Sequence, residues 1–311
     1  MRTSSMRRLA LIAVMLALPP IGAAEEGDEA GLTDEEQQQL AQMQAFWDSL
    51  DRQTGTIVLG DDLATLTVPE DFYFLNGEDA ERVLVDVWGN PPGQDVLGML
   101  FPAEYTPFDA QSWAVTVDYT EEGHVSDEDA AAIDYDELLS DMQDGVRDEN
   151  PGRIDAGYEP IELLGWAEPP HYDPASRKLY WAKELRFGES PDTTLNYEIR
   201  ALGRTGVLGM TFIAATSQLE EINAERESVL AMAEFSSGKR YEDFDSNIDE
   251  VAAYGIGALI AGKVAAKAGL FAAAAVLLKK VGIFILLGLA ALGRKLKGLF
   301  SRSTTMPGAP Q

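Results

Sequence analysis

The sequence predicts an α+β fold, an antiparallel sheet with packed helices, set between an export signal and a C-terminal apolar helical anchor. Three observations predict it: runs that alternate apolar and polar residues with a period of two, helix-patterned segments between them, and no glycine-rich phosphate loop after any such run. Strand runs that neighbour in sequence and join through tight turns favour antiparallel pairing over a parallel, doubly wound sheet.

The first 24 residues form a separate object. Arg2, Arg7 and Arg8 precede the apolar run of residues 9–18, and Gly22 and Ala24 occupy positions −3 and −1 before Glu25. That is the pattern of a secretory signal cut after Ala24. The chain contains no cysteine, so a lipid-modified N-terminus, a disulfide scaffold, a Cys-ligated metal and a thiol nucleophile are all excluded. Residues 25–54 read as an acidic lead-in followed by an amphipathic helix. Thr33 and Glu36 form its capping box, and Leu40, Met43, Trp47 and Leu50 recur at helical spacing.

Residues 55–242 read as the exported α+β domain. Short β-type runs at residues 56–59 and 64–68 flank Gly60, Asp61 and Asp62, which is a hairpin. A helix over residues 78–88 turns Ala80, Val83, Leu84 and Val87 to one side and stops at Asn90, Pro91, Pro92 and Gly93. Trp113, Val115, Val117 and Tyr119 alternate with Ala114, Thr116 and Asp118, predicting a half-buried strand. Leu195, Tyr197, Ile199 and Ala201 alternate likewise with Asn196, Glu198 and Arg200; residues 203–206 then turn the chain into the apolar run 207–214. A helix follows, with Leu219, Ile222, Val229, Leu230 and Ala233 on its buried side. Asp134 caps another helix, with Tyr135, Leu138, Leu139, Met142 and Val146 inward.

Charge divides the chain. All 52 acids lie within residues 25–250, whereas residues 251–311 hold eight Lys and Arg and no acid. An acidic body gains nothing from neutralising phosphates, so no nucleic-acid partner is expected. Residues 243–250 read as a solvated junction, residues 251–300 as Gly- and Ala-rich membrane-associated helices, and residues 301–311 as a basic and polar tail. Only Lys263, Lys267, Lys279 and Lys280 interrupt the apolar composition of residues 251–293. The longest uninterrupted run, residues 281–293, covers roughly 20 Å of a hydrocarbon core of roughly 30 Å. A single span over residues 281–300, with the lysines and Arg294 snorkelling to the surfaces, is admissible but short. Gly255, Gly262 and Gly269 recur every seven residues and suggest a self-association seam on a helix.

The strings VLGMLFP (residues 96–102), GHVSDEDAAAIDYDELL (123–139), GWAEPPHYDP (165–174), KLYWAKELRFG (178–188) and TLNYEIRALGRTGVL (194–208) are similar to those of a bacterial family of predicted membrane-anchored proteins of unknown function. The similarity continues through residues 241–270 and covers essentially the whole mature chain. It implies an exported domain held by a C-terminal hydrophobic anchor and supplies no catalytic residues. The Lys279 and Lys280 pair departs from a clean anchor and leaves its limits open.

Two places could carry chemistry. His171 lies between Glu168 and Asp173 in a proline-rich stretch read as a loop, where an imidazole beside carboxylates could bind a metal or act as a general base. Asp243, Asp245, Asn247 and Asp249 alternate as a calcium loop begins, but Ile248 and Tyr254 stand where such a loop needs Gly and Glu. His124 precedes Ser126 and Asp129, a local helix-capping pattern. No cofactor is expected. The reading that follows is a non-enzymatic envelope domain, single-pass in the inner membrane with its body in the periplasm, touching lipid through residues 251–300 and binding an envelope protein or itself. The alternatives are an exported hydrolase or metal-dependent enzyme centred on His171, and an oligomeric membrane element regulated by the acidic body.

Overall fold

The computed structural model describes residues 33–262; the expected signal, the expected lead-in up to residue 32 and the expected membrane segment from residue 263 lie outside the described residues. Helix α1 (Asp34–Ser49) opens with the expected capping box, the Thr33 hydroxyl accepting from the Glu36 N–H while the Glu36 carboxylate accepts from the Thr33 N–H at 2.8 Å. Its first turns are exposed. Only its last turn docks, where Phe46 meets Phe108 edge-on at 5.7 Å and Trp47 meets Tyr73 at 5.6 Å.

Strands β1 (Gly55–Leu59) and β2 (Ala64–Val68) form the predicted hairpin, and β11 (Ala233–Phe235) joins them in a three-stranded antiparallel sheet ordered β1-β2-β11. The main sheet comprises β3 (Phe72–Asn76), β4 (Gly98–Pro102), β5 (Ala114–Thr120), β7 (Ile161–Asp173), β8 (Lys178–Phe187), β9 (Thr194–Leu202) and β10 (Val207–Ala215). Its order is β3-β4-β5-β10-β9-β8-β7, with every neighbouring pair antiparallel. The α+β class is therefore as the patterning predicted. Helix α2 (Gly77–Arg82) runs into a π-helical turn (Val83–Val87), and α3 (Tyr135–Asp155) and α4 (Leu219–Met232) are the long helices of the body.

One face of the main sheet is dry. Val115, Val117, Leu195, Tyr197, Ile199, Met210 and Phe212 pack there against β2 and against Ile222, Val229 and Leu230 of α4. At roughly 1.5–3 kcal/mol for each large apolar side chain, this burial dominates the fold's stability. The opposite face is covered at two ends. Ala114 and Ile213 meet α2 and the end of α1, while Leu179, Trp181 and Leu202 sit in a cluster with partly buried side chains of α3.

Between those ends the alternation places polar side chains where sequence alone expected solvent. Asn196 and Glu198 of β9 are buried, as are Thr116 and Thr211, so the strands read as half-buried are covered on both faces at their centres. Glu198 tolerates burial because Lys183 and Arg200, one on each side of it, form ion pairs with it, and Arg200 reaches Asp118 at 3.6 Å. Burial alone would raise the Glu198 pKa; the two cations outweigh it and hold the carboxyl below its usual range.

Three further expectations are corrected. Residues 168–173 are strand, not loop: β7 runs through Pro169 and Pro170, which an edge strand accommodates at register shifts because its outer N–H groups need no partner. Ala233 belongs to β11 rather than to the buried side of α4. Residues 251–255 are not the start of a membrane helix. They form β12 (Val251–Gly255), paired in parallel with β6 (His124–Ser126), and residues 251–262 fall within the same compact unit as the body. Gly255 therefore shares no helix face with Gly262. Among the described residues no helix is long and apolar enough to cross a membrane.

Candidate functional site

The polar groups of the body converge where its last strand leaves it. A turn at Gly203 and Gly206 joins β9 to β10 and presents Arg204, which grips Asp249 through two nitrogens, Nε to Oδ2 at 2.8 Å and Nη2 to Oδ1 at 3.0 Å. The Arg204 side chain also donates to the Gly238 carbonyl at 3.2 Å, and the Asp245 N–H donates to Asp249 at 2.7 Å. Hydrogen bonds from Arg204, and then from the Asp245 backbone, hold the Asp249 carboxyl below its usual range. The junction is exposed at residues 246–248 and 250, as expected, but it is also clamped to the body, with the Asp249 side chain only 8 % exposed.

Beside the clamp, β12 lies against β6. The His124 N–H donates to the Glu250 carbonyl at 2.8 Å, and Gly123 makes the approach possible. A Cβ at Gly123 would stand 2.8 Å from both the Ala252 nitrogen and the Glu250 oxygen, and its φ of +97° is one that side-chain-bearing residues rarely adopt. The His124 ring is sandwiched, 4.0 Å from the Phe244 ring and 4.2 Å from that of Tyr241, with Nδ1 3.2 Å from the Arg204 carbonyl. Burial pushes its pKa down, and the Arg204 carbonyl together with Asp127 and Asp249 offsets this only partly.

Asp127 ties β6 to the neighbouring hairpin. It accepts from the hydroxyls of Tyr172 at 2.7 Å and Tyr241 at 3.3 Å and pairs with Arg177. Burial would raise the Asp127 pKa, but the Tyr172 hydroxyl and the Arg177 charge bring it below its usual value. Burial first, and then the hydrogen bond to Asp127, push Tyr172 up to about 12 against the opposing pull of Arg177. Arg177 in turn lies over the Tyr241 ring at 4.7 Å.

Asp129 completes the arrangement. Sequence reading assigned it to a local helix, yet residues 130–132 form only a 3-10 turn, and Asp129 caps a distant one. Its carboxylate accepts from the Ile256 N–H at 2.9 Å and the Gly257 N–H at 3.2 Å, the start of the helical residues 256–262. Ile256 and Ile260 are buried with Val125, Leu179 and Trp181. A hollow of about 530 Å³ opens next to β12, bordered by Glu121, Glu122, Glu250, Ile248 and Tyr254, an environment for a cationic rather than an anionic group.

The sequence-predicted site residues do not gather. His171 is exposed and stacks on Tyr180 with ring centres 6.5 Å apart. Glu168 turns away to the Tyr197 hydroxyl at 3.2 Å and Arg226 at 3.1 Å, and Asp173 fixes a turn through the Ala175 N–H and the Ser176 hydroxyl. Asp243 accepts from the Arg240 N–H, Asp245 accepts from Asn247, and Asp249 accepts from Arg204 and the Asp245 N–H, so each carboxylate of the calcium-like run is taken up by a protein donor. Among the described residues no group of three or more His, Asp or Glu is placed to hold a metal ion. Sequence reading missed Arg204, Arg177 and Tyr241. Both arginines sit in turns, where nothing local marks the side chain's distant partner.

Fold and site together define an antiparallel α+β domain whose exit strand is stapled to its own body. Residues 51–290 match the family described as protein of unknown function (DUF2167), and the chain belongs to that family. No curated protein matches it. Among solved structures it is similar to cyanobacterial PsbP (CyanoP) from Synechocystis, at 11 % identity and a TM-score of 0.33, over 69 % of this chain and 99 % of that one. It is also similar to a single-substitution mutant of protein Mog1, at 8 % identity and a TM-score of 0.33, over 60 % of this chain and 97 % of that one. Neither likeness carries a function to this chain.

Proposed function

We propose that this protein is an exported, membrane-tethered domain of the bacterial envelope that works by binding another protein rather than by catalysis. Its body lies on the periplasmic side of the inner membrane, and the apolar, acid-free residues beyond 262 form the tether. The observation that carries this reading is the mount. Immediately before the apolar stretch, the chain is held to the body by the Arg204–Asp249 pair, the β6–β12 pairing, the Asp129 cap and the buried Ile256 and Ile260. A domain under pull or drag from its own tether needs its last segment fixed, because an unfixed strand would peel from the edge inward.

Fractionation of a tagged protein, combined with protease added from the periplasmic side, tests the topology. The body is expected in the membrane fraction and accessible to protease; a body recovered from the cytosol overturns the proposal. The enzymatic alternative has a direct test in His171→Ala, which is expected to leave a folded and fully functional protein.

A further inference from the structure

The sheets of this body end in strands that are protected very differently. On β7, the Asn150 side chain of α3 imitates a missing strand, accepting from the Ile161 N–H and donating to the Ile161 carbonyl, each at 2.8 Å. Gln143 covers the Leu163 and Leu164 carbonyls, and the prolines follow. On β3, Gln53 exchanges backbone hydrogen bonds with Phe74 at 2.9 and 2.8 Å. β11 is only three residues long. These are the ways by which proteins keep sheet edges from pairing with other chains.

β1 has none of them. It is the outermost strand of the three-stranded sheet, and its register with β2 runs unbroken from Gly55 to Leu59. Among the described residues, no backbone hydrogen bond reaches residues 56–58 from any element other than β2. Its sequence, GTIVL, holds no proline and no charge; Thr56 is exposed, and Val58 is 59 % exposed. The surroundings are negative. Asp51 precedes the strand and Asp61 and Asp62 follow it, while the nearby Arg52 is folded back over the Trp47 ring at 4.1 Å.

We propose that β1 is a docking edge at which an extended, lysine- or arginine-bearing segment of a partner protein adds as a fourth strand. Strand addition draws affinity from the main chain, and alternating side chains give it selectivity. Here the acids at both ends select for cations. They also disfavour a second copy of this chain, which would bring a like charge of formally −28 against itself. The proposal deepens the binding half of the function proposed above. It is independent of the membrane half, so the fractionation result and the result below fail separately.

The probe is a nine-residue peptide alternating lysine and valine, added to the full-length protein in nonionic detergent, with amide hydrogen exchange and fluorescence anisotropy as readouts. The peptide is expected to bind and to slow exchange at residues 56–59 selectively. Val58→Lys is expected to weaken binding severalfold and Val58→Glu to strengthen it; since Val58 is exposed, both variants keep the exchange pattern of the rest of the body. The proposal is overturned if the peptide does not bind or binds without slowing residues 56–59. Equal binding of a glutamate–valine counterpart overturns it too, as do residues 56–59 already protected in a concentration-dependent dimer.

Discussion

The two ends of the body are attached on opposite principles. At the N-terminal end, α1 is a well-capped helix that lies mostly in water and touches the body only through its last turn. At the C-terminal end, a five-residue strand with no cap of its own is held by an ion pair, a parallel partner strand, a buried histidine and a distant carboxylate. Local signals, then, say how an element forms and little about how it is held. A capping box stabilises a helix by about 1 kcal/mol wherever the helix lies; a clamp built from four separate segments exists only in the finished fold.

The largest effect tests whether both ends depend on the same core. Glu198→Ala leaves Lys183 and Arg200 buried without their shared anion, and a loss of about 3–5 kcal/mol is expected in urea unfolding. Both ends should then lose protection together. The native pair itself weakens in acid. The Glu198 pKa is lowered by folding, so its contribution is complete above the ordinary carboxylate value and is lost as pH falls through the lower, folded value.

Gly123→Val should separate the two ends. Forcing a β-branched residue to the φ of Gly123 costs on the order of 1–3 kcal/mol, and its Cβ strikes the exit strand. Amide exchange at Val251–Gly255 is expected to rise about 10–100-fold, while α1 is unchanged. A smaller effect of the same kind is expected for Arg204→Met, which leaves Asp249 without its cation; equal exchange in the variant and the parent would show that the strand pairing alone holds the exit.

Acid should loosen the exit end and spare the entry end. Because burial lowers the His124 pKa, the stability it contributes is complete above about 6.5 and declines as pH falls below that value, where the released state takes up the proton first. Asp127 and Asp249 face the ring and limit the drop. With the intrinsic pH dependence of amide exchange divided out, the protection of β12 is expected to fall between pH 7 and 5 in the parent and to stay constant in His124→Phe. The smallest effect is reserved for Thr33→Ala: it removes a cap worth about 1 kcal/mol to the first turn of α1, and the global unfolding transition should stay in place.

Much of the frame was legible in the sequence. The hairpin at Gly60, the strands through Val115 and Tyr197 and the helix capped by Asp134 all announced themselves through period and punctuation, because those signals act over a few residues. The polar face of β9 was legible as alternation but not as burial. Whether Glu198 meets water depends on Lys183, Arg200 and the helices beyond, and none of these is its neighbour in the chain. The site was least legible of all. His171, Glu168 and Asp173 are close in sequence, and the register shifts of β7 send them to different partners. Arg204 and Asp249 are 45 positions apart and meet side chain to side chain.

The Asp129 carboxylate and the Ile256 amide it caps are separated by 127 positions. The first turn beyond β12 thus receives its cap only after β6 is in place and the intervening chain has come back to meet it. In an unfolded body that carboxylate is present but not at capping distance, so the turn gains its cap only when the globular part is assembled.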